Sequence, residues 1–330
     1  MYEQDWLDQN ALPLLNNLTD AEAFLGNMAA AAQAEGLPIM YCMALPGHLL
    51  QSTAYPNVVT TRVSPDRFDS TRWSPYLYDS RLASAVGLWP WSDAFFSPER
   101  DNLILSTLSA GPVGVGDALQ TASAANLLSA ARPDSVLVRP DTSIVPIDSS
   151  FVDEAAGTGR PMIAAASTVD GNVLRAGYVF TYQTGTATTA TFAPSVLGFS
   201  GPVIIYDVFA STELRQDAST AYSHDVGSGP AYLIIVPVGR SGIGFLGDLG
   251  KYVSLGRQRI SSVTDDGAVH VGVAFAAAET AVTLSGHAPS IPSVAASVGS
   301  TEPPSFDPST GLFQVVVHPA NGAAEIDIAP

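Results

Sequence analysis

The first third of the chain alternates between short unbroken apolar runs and longer stretches of helical period. Thr19-Asp20-Ala21-Glu22 has the form of an N-cap with acidic residues in the first turn. It predicts a helix through the alanine-rich segment to Glu35, stopped at Gly36. Leu37-Pro38-Ile39-Met40-Tyr41-Cys42-Met43 reads as a short buried strand, followed by a polar loop through His48, Gln51 and Tyr55. The pattern then predicts a β-branched strand over 57–63, a helix over 76–86 and a strand end at 88–91. A second acidic-capped helix over 99–110, a buried strand over 112–117 and a helix over 122–131 follow. Met1-Tyr2-Glu3-Gln4-Asp5-Trp6-Leu7 reads as the end of a strand, already in mid-fold.

From about residue 135 the helical period disappears. Short apolar segments at 136–138, 162–164, 173–181, 203–206, 232–236, 269–274 and 313–318 lie between Gly, Ser, Asp and Pro turns, as in an all-β antiparallel sandwich. Strand–helix repetition before that point implies a parallel sheet with helical crossovers. The expected fold class is α/β followed by all-β: residues 1–135 form the second part of a (β/α)8 barrel of TIM type, and 136–330 a C-terminal antiparallel β-sandwich domain. Five parallel strands are expected where a closed barrel of about 250 residues has eight. The chain therefore reads either as a fragment lacking the first barrel strands or as an open sheet. A half barrel exposes two strand edges, so an oligomer stays open.

Composition narrows the partners. Of 330 residues, 46% are hydrophobic and 14% charged, against about 25% charged in an average soluble domain, which excludes a disordered chain. The formal charge of −17 comes from 14 basic and 31 acidic residues, Lys251 is the only lysine, and the arginines are scattered. The clustered cations that track phosphates are missing, so nucleic acid is not an expected partner. No apolar run reaches the ~18 residues of a membrane helix. No secretory signal opens the chain, but a start in mid-fold leaves the localisation unknown. Cys42 is the only cysteine, and His224, His270, His287 and His318 lack ligand spacing, so neither a metal nor a cofactor is expected. Gly111 to Gly116 completes neither phosphate-loop pattern.

Parallel α/β folds place their chemistry at the C-terminal ends of strands. Asp5 ends the first strand, and Asp66 lies four residues beyond Arg62, just past the strand at 58–64. Two carboxylates flanking one bond are what glycoside hydrolysis requires: one attacks the anomeric carbon while the other donates and then retrieves a proton. The guanidinium of Arg62 can hold Asp66 or a sugar hydroxyl with its rigid fork of donors. On position alone, an aspartate at a strand end is more often a cap or turn former.

Thr61-Arg62-Val63-Ser64-Pro65-Asp66 resembles the Arg-x-x-x-Asp signature of α-galactosidases of glycoside hydrolase family 36 and their clan. The stretch from Tyr41-Cys42-Met43 to Asp66-Arg67-Phe68 also resembles raffinose synthases and seed-imbibition proteins. The resemblance implies a barrel followed by an antiparallel β-domain and a retaining mechanism on an oligosaccharide or glycoside, with Asp5 as nucleophile and Asp66 as acid/base. Where the family usually carries Lys-x-Asp, this chain has Glu3-Gln4-Asp5. A carboxylate accepts rather than donates, and is expected to raise the pKa of Asp5.

Further candidate substrate-binding residues are Trp6, Trp89 and Trp91, whose rings can stack on sugar C–H faces or simply fill the core. Asp93 and Asp117 can accept sugar hydroxyls or serve as caps. Cys42 and His48 flank the space between the two acids; a loop histidine and a small buried hydrophobe are the plainer readings. Two other functions stay open: a non-catalytic carbohydrate-binding or structural relative, and an open-sheet α/β enzyme unrelated to sugars.

Overall fold

The computed structural model describes residues 1–12 and 19–330. Its first part runs β1 (Tyr2–Gln4), α1 (Leu7–Asn10), α2 (Asp20–Ala34), β2 (Ile39–Tyr41), α3 (Pro46–Ser52), β3 (Val58–Arg62), α4 (Trp73–Ala85), β4 (Trp89–Trp91), α5 (Arg100–Leu108) and α6 (Ala124–Ala130). The four strands are parallel and neighbours in sequence order, β1-β2-β3-β4. Such an order is shared by an arc of a barrel and by one side of a doubly wound sheet's switch point. Helix α2 turns Leu25, Ala29 and Ala32 inward, the three-to-four spacing of one helical stripe. Helix α5 is buried from Asn102 to Leu108, as a helix enclosed on all sides must be.

Register sorts the strand residues into rows, because residues two apart share a face. Glu3, Met40, Thr60 and Trp89 are mutual partners across the sheet. Two positions further on, Asp5, Cys42, Arg62 and Trp91 form the next row on the same face. The opposite face carries Tyr41, Thr61 and Pro90, all buried.

Three expectations are corrected here. Segment 112–117 is not a fifth strand, so the parallel sheet has four strands among the described residues. The segment lies close against β4, where a Cβ on Gly111 would fall 2.0 Å from the Pro90 carbonyl oxygen. Pro112 has no amide to donate, and the segment's one backbone hydrogen bond among the described residues runs from Gly116 N–H to Phe95 O, 2.8 Å. The polar loop through His48 is helix α3, begun by Pro46, whose fixed φ suits a first helical turn. Residues 136–138 make an isolated bridge, Ala131 to Leu137, rather than a strand.

The rest is antiparallel. After β5 (Val145–Pro146) and α7 (Asp148–Ala155) come β6 (Met162–Asp170), β7 (Val173–Tyr182), β8 (Thr189–Phe192), β9 (Pro202–Asp207), β10 (Thr212–Asp217), β11 (Tyr222–Asp225) and β12 (Ala231–Pro237). They build a six-stranded sheet ordered β10-β9-β12-β7-β6-β5, with β8 and β11 as a separate ribbon. Trp73 of α4 docks on it, edge-on to Phe180 and Tyr182 at 5.3 and 5.1 Å. The terminal part consists of β13 (Gly244–Gly247), β14 (Ile260–Asp265), β15 (Val269–Ala274), β16 (Val282–His287), β17 (Ser293–Val298), β18 (Ser300–Thr301), β19 (Ser305–Phe306), β20 (Leu312–His318) and β21 (Ala323–Ala329). One sheet is ordered β13-β16-β20-β18 with β19 on β20, the other β14-β15-β21-β17. Alternate residues such as Phe313, Val315 and Val317, or Ala324, Ile326 and Ile328, are buried, the period of two that a sheet with one core face imposes. At its centre Arg259 is fully buried, its guanidinium forked onto Glu279 at 2.7 Å twice over. No helix among the described residues is long and apolar enough to cross a membrane.

Candidate active site

The C-terminal ends of β1, β2 and β3 bring Asp5, Cys42, Arg62 and Asp66 together, and the end of β4 adds Asp93. Arg62 is the hub. Its side chain is 8% exposed, and one nitrogen, Nη1, contacts both Asp66 Oδ1 at 2.9 Å and Asp93 Oδ2. Asp93 is fixed twice more: its backbone N–H donates to Ser64 Oγ at 2.8 Å, and its Oδ1 accepts from Ala94 N–H at 2.7 Å. Ser64 was not among the candidates; its place between the strand end and Pro65 is the only signal the sequence carries for it.

Asp5 sits where the chain leaves β1. The next residue, Trp6, takes a left-handed conformation at φ 59°, ψ 34°, and its N–H donates to Asp5 Oδ1 at 2.8 Å. The Cys42 thiol donates a second hydrogen bond to the Asp5 carboxylate. That bond, with help from the Trp6 amide and the positive field of Arg62, holds Asp5 below the ordinary carboxylate range against the opposing effect of burial. The expectation that Glu3 would raise the pKa of Asp5 is therefore overturned: the donors around Asp5 outweigh it. Burial, and then the hydrogen bond to Asp5, push the Cys42 thiol far upward, so it stays a neutral donor.

The remaining candidates divide. Trp91 shares the row of Arg62 and is half-buried; Trp89 lies one row below, its ring faced by the Arg139 guanidinium at 5.2 Å. Trp6 is 49% exposed beside Asp5. Asp117 is not with the cluster's hub: its carboxylate accepts from Ser97 N–H at 2.7 Å and Ser97 Oγ at 3.0 Å, tying two loops together. His48 is buried, its Nδ1 accepting from Leu45 N–H at 3.1 Å and its Nε2 facing Ala11 O at 3.0 Å. Both ring nitrogens are occupied by backbone, so the reading of His48 as a substrate-binding loop residue is corrected to a structural one.

A cavity of about 1040 Å³ lies elsewhere, between the N-terminal ends of α4 and α5 and the loop 226–230. Of its three acids, Asp101 lies 3.5 Å from Arg100 with its buried Oδ1 lacking a hydrogen-bond partner, and the other two are engaged. Asp69 accepts from Thr71, and Glu99 from Arg67, Phe96 N–H and Asn102. Among the described residues no group of three or more His, Cys, Asp and Glu side chains is arranged to hold a metal ion.

No protein-family model matches the sequence, and no curated protein matches it. The structural neighbours are glycoside hydrolases. A GH27 β-L-arabinopyranosidase from Geobacillus stearothermophilus matches 71% of this chain at 14% identity and TM-score 0.48. An isomalto-dextranase from Arthrobacter globiformis T6, complexed with panose, matches 99% of this chain and 68% of its own at 12% identity and TM-score 0.48. A family 97 glycoside hydrolase from Pseudoalteromonas sp. strain K8 matches 64% at 11% identity and TM-score 0.24. The chain spans 57% of the length of the arabinopyranosidase and 48% of that of the family 97 enzyme.

Proposed function

We propose that this chain carries the catalytic edge of a retaining glycoside hydrolase or transglycosidase acting on an α-linked sugar, with Asp5 as nucleophile and Asp66 as acid/base. The observation that supports it most is the convergence of Asp5, Asp66 and Asp93 around the one guanidinium of Arg62 at the C-terminal ends of adjacent parallel strands. The likeness to family 36 rests on the same residues.

In this reading the two acids are set up for opposite roles. The thiol of Cys42, the Trp6 amide and Arg62 keep Asp5 ionised, as a nucleophile must be. Asp66 is 78% exposed, so it is free to reach a leaving-group oxygen. Sugar hydroxyls that engage Arg62 release Asp66 from its ion pair. Asp5 then bonds to the anomeric carbon as the glycosidic C–O bond breaks, and the Asp66 proton goes to the departing oxygen. In the second step Asp66 takes a proton from water, or from an acceptor sugar hydroxyl, which displaces Asp5. Arg62, shared by Asp66 and Asp93, orients both partners.

The test uses the complete gene product that carries this chain. Asp66→Ala should abolish turnover of a glycoside with a poor leaving group and spare part of the turnover of an activated aryl glycoside. A mechanism-based glycosyl inactivator should label Asp5 alone. Unchanged turnover in Asp66→Ala, or label on another residue, overturns the assignment. Sugar binding without any turnover would instead mark a carbohydrate-binding relative.

A further inference from the structure

Far from the strand edge, the six-stranded sheet and the terminal sandwich meet along β9 and β10. The approach is close: a Cβ on Gly244 of β13 would stand 2.4 Å from Ile204 Cγ1 of β9. At this joint, Glu213 of β10 faces His287 of β16, with Oε1 3.9 Å from Nε2. Their side chains are only 6% and 13% exposed. Neither carboxyl oxygen of Glu213 has a hydrogen-bond partner, and neither has Nδ1 of His287. The imidazole lies against Gly311, in the space a side chain there would need, since an added Cβ would fall 2.6 Å from Nε2. A buried carboxylate without donors is costly, and a protonated one is far cheaper.

We propose that Glu213 and His287 form a proton-operated joint between the six-stranded sheet and the terminal sandwich, closed while Glu213 carries its proton and loosened when the proton leaves. The charged groups around the pair act in one sense. Burial, and then the negative field of Asp307 from the turn before β20, push Glu213 up to about 7. Burial, and then Arg215 on β10 itself, hold the imidazole of His287 below its ordinary value, so it supplies no positive charge to an ionised Glu213 near neutrality. A raised carboxyl pKa favours the closed joint most at low pH, and the advantage is lost as pH rises through about 7. The midpoint falls where small changes of compartment pH act. The joint does not depend on the glycosidase reading.

Amide hydrogen exchange over 212–217 and 282–287, corrected for the intrinsic pH dependence of exchange, reads the opening directly. The comparison is the full chain against Glu213→Gln, a neutral isostere that keeps the shape of the protonated acid. The ratio of opening constants, wild type over variant, should rise about tenfold from pH 6 to pH 8, because the His287 contribution is common to both. A carbon-13 titration of the Glu213 carboxyl in the unmutated chain should show a midpoint near 7. A ratio that does not change with pH, or a Glu213 midpoint in the ordinary carboxylate range, overturns the proposal, and the second reading holds even if the variant folds poorly.

Discussion

Arg62 reaches two carboxylates with one nitrogen, and burial makes those contacts unequal. Asp66 is 78% exposed and Asp93 25% exposed, while Arg62 itself is 8% exposed. In water-like surroundings a pair such as Arg62–Asp66 contributes about 0.5 kcal/mol. A fully buried pair broken on one side costs about 3–5 kcal/mol. Arg62–Asp93 lies between these limits, nearer the buried one, and Ser64 already holds the Asp93 backbone while the Ala94 amide holds its carboxylate, so little entropy is spent on forming the contact. A coupling of about 2 kcal/mol follows for Arg62–Asp93, and about 0.5 kcal/mol for Arg62–Asp66. Two double-mutant cycles read these values from urea unfolding at pH 7. One combines Arg62→Met with Asp93→Asn, the other Arg62→Met with Asp66→Asn. In 1 M salt the Asp66 coupling should vanish while most of the Asp93 coupling persists. Equal couplings, or an Asp93 coupling below about 0.5 kcal/mol, would refute the argument that burial ranks the two partners.

Three further outcomes follow. Arg259→Met should cost about 3–5 kcal/mol in the same unfolding assay, because it strands Glu279 and Asp248 without their counter-charge; a loss under about 1 kcal/mol contradicts this. Gly111→Ala should destabilise by about 2 kcal/mol or more, since its Cβ meets the Pro90 carbonyl rather than a movable side chain, and a variant of unchanged midpoint would show that segment 112–117 can slide off β4. Cys42→Ala should raise the titration midpoint of Asp5, measured by carboxyl NMR. The lowered pKa of Asp5 contributes stability above its ordinary value that is lost as pH falls through the folded one, so the variant should also flatten the acid limb of the stability curve.

Helices α2, α4 and α5 and strands β2 to β4 were legible because local signals agree with the fold there: acidic first turns in α2 and α5, apolar runs and a stop at Gly36. Segment 112–117 misled because apolar content does not by itself mark strand pairing, and two glycines with a proline cannot sustain a ladder. His48 was misread for want of weight on Pro46, the first residue of its helix. Of the site, the Arg62–Asp66 spacing was visible as a four-residue interval. The competing claim of Asp93 on the same nitrogen was not, since it depends on the register of β3 against β4. Arg259 and the Glu213–His287 contact carry no local signature at all. Each joins residues far apart in the sequence, and only the folded chain makes them neighbours.

Trp6 draws out what such a site asks of its backbone. A left-handed conformation at a bulky residue is strained by about 1–3 kcal/mol. The same kink turns the chain from β1 into α1 and aims an amide at Asp5. A glycine here would relax the kink and toughen the fold, yet would let the amide wander from the carboxylate it steadies. Relaxing the backbone and holding the Asp5 carboxylate thus pull this one position in opposite directions. A thermally improved variant found without an activity screen is expected to change Trp6 early.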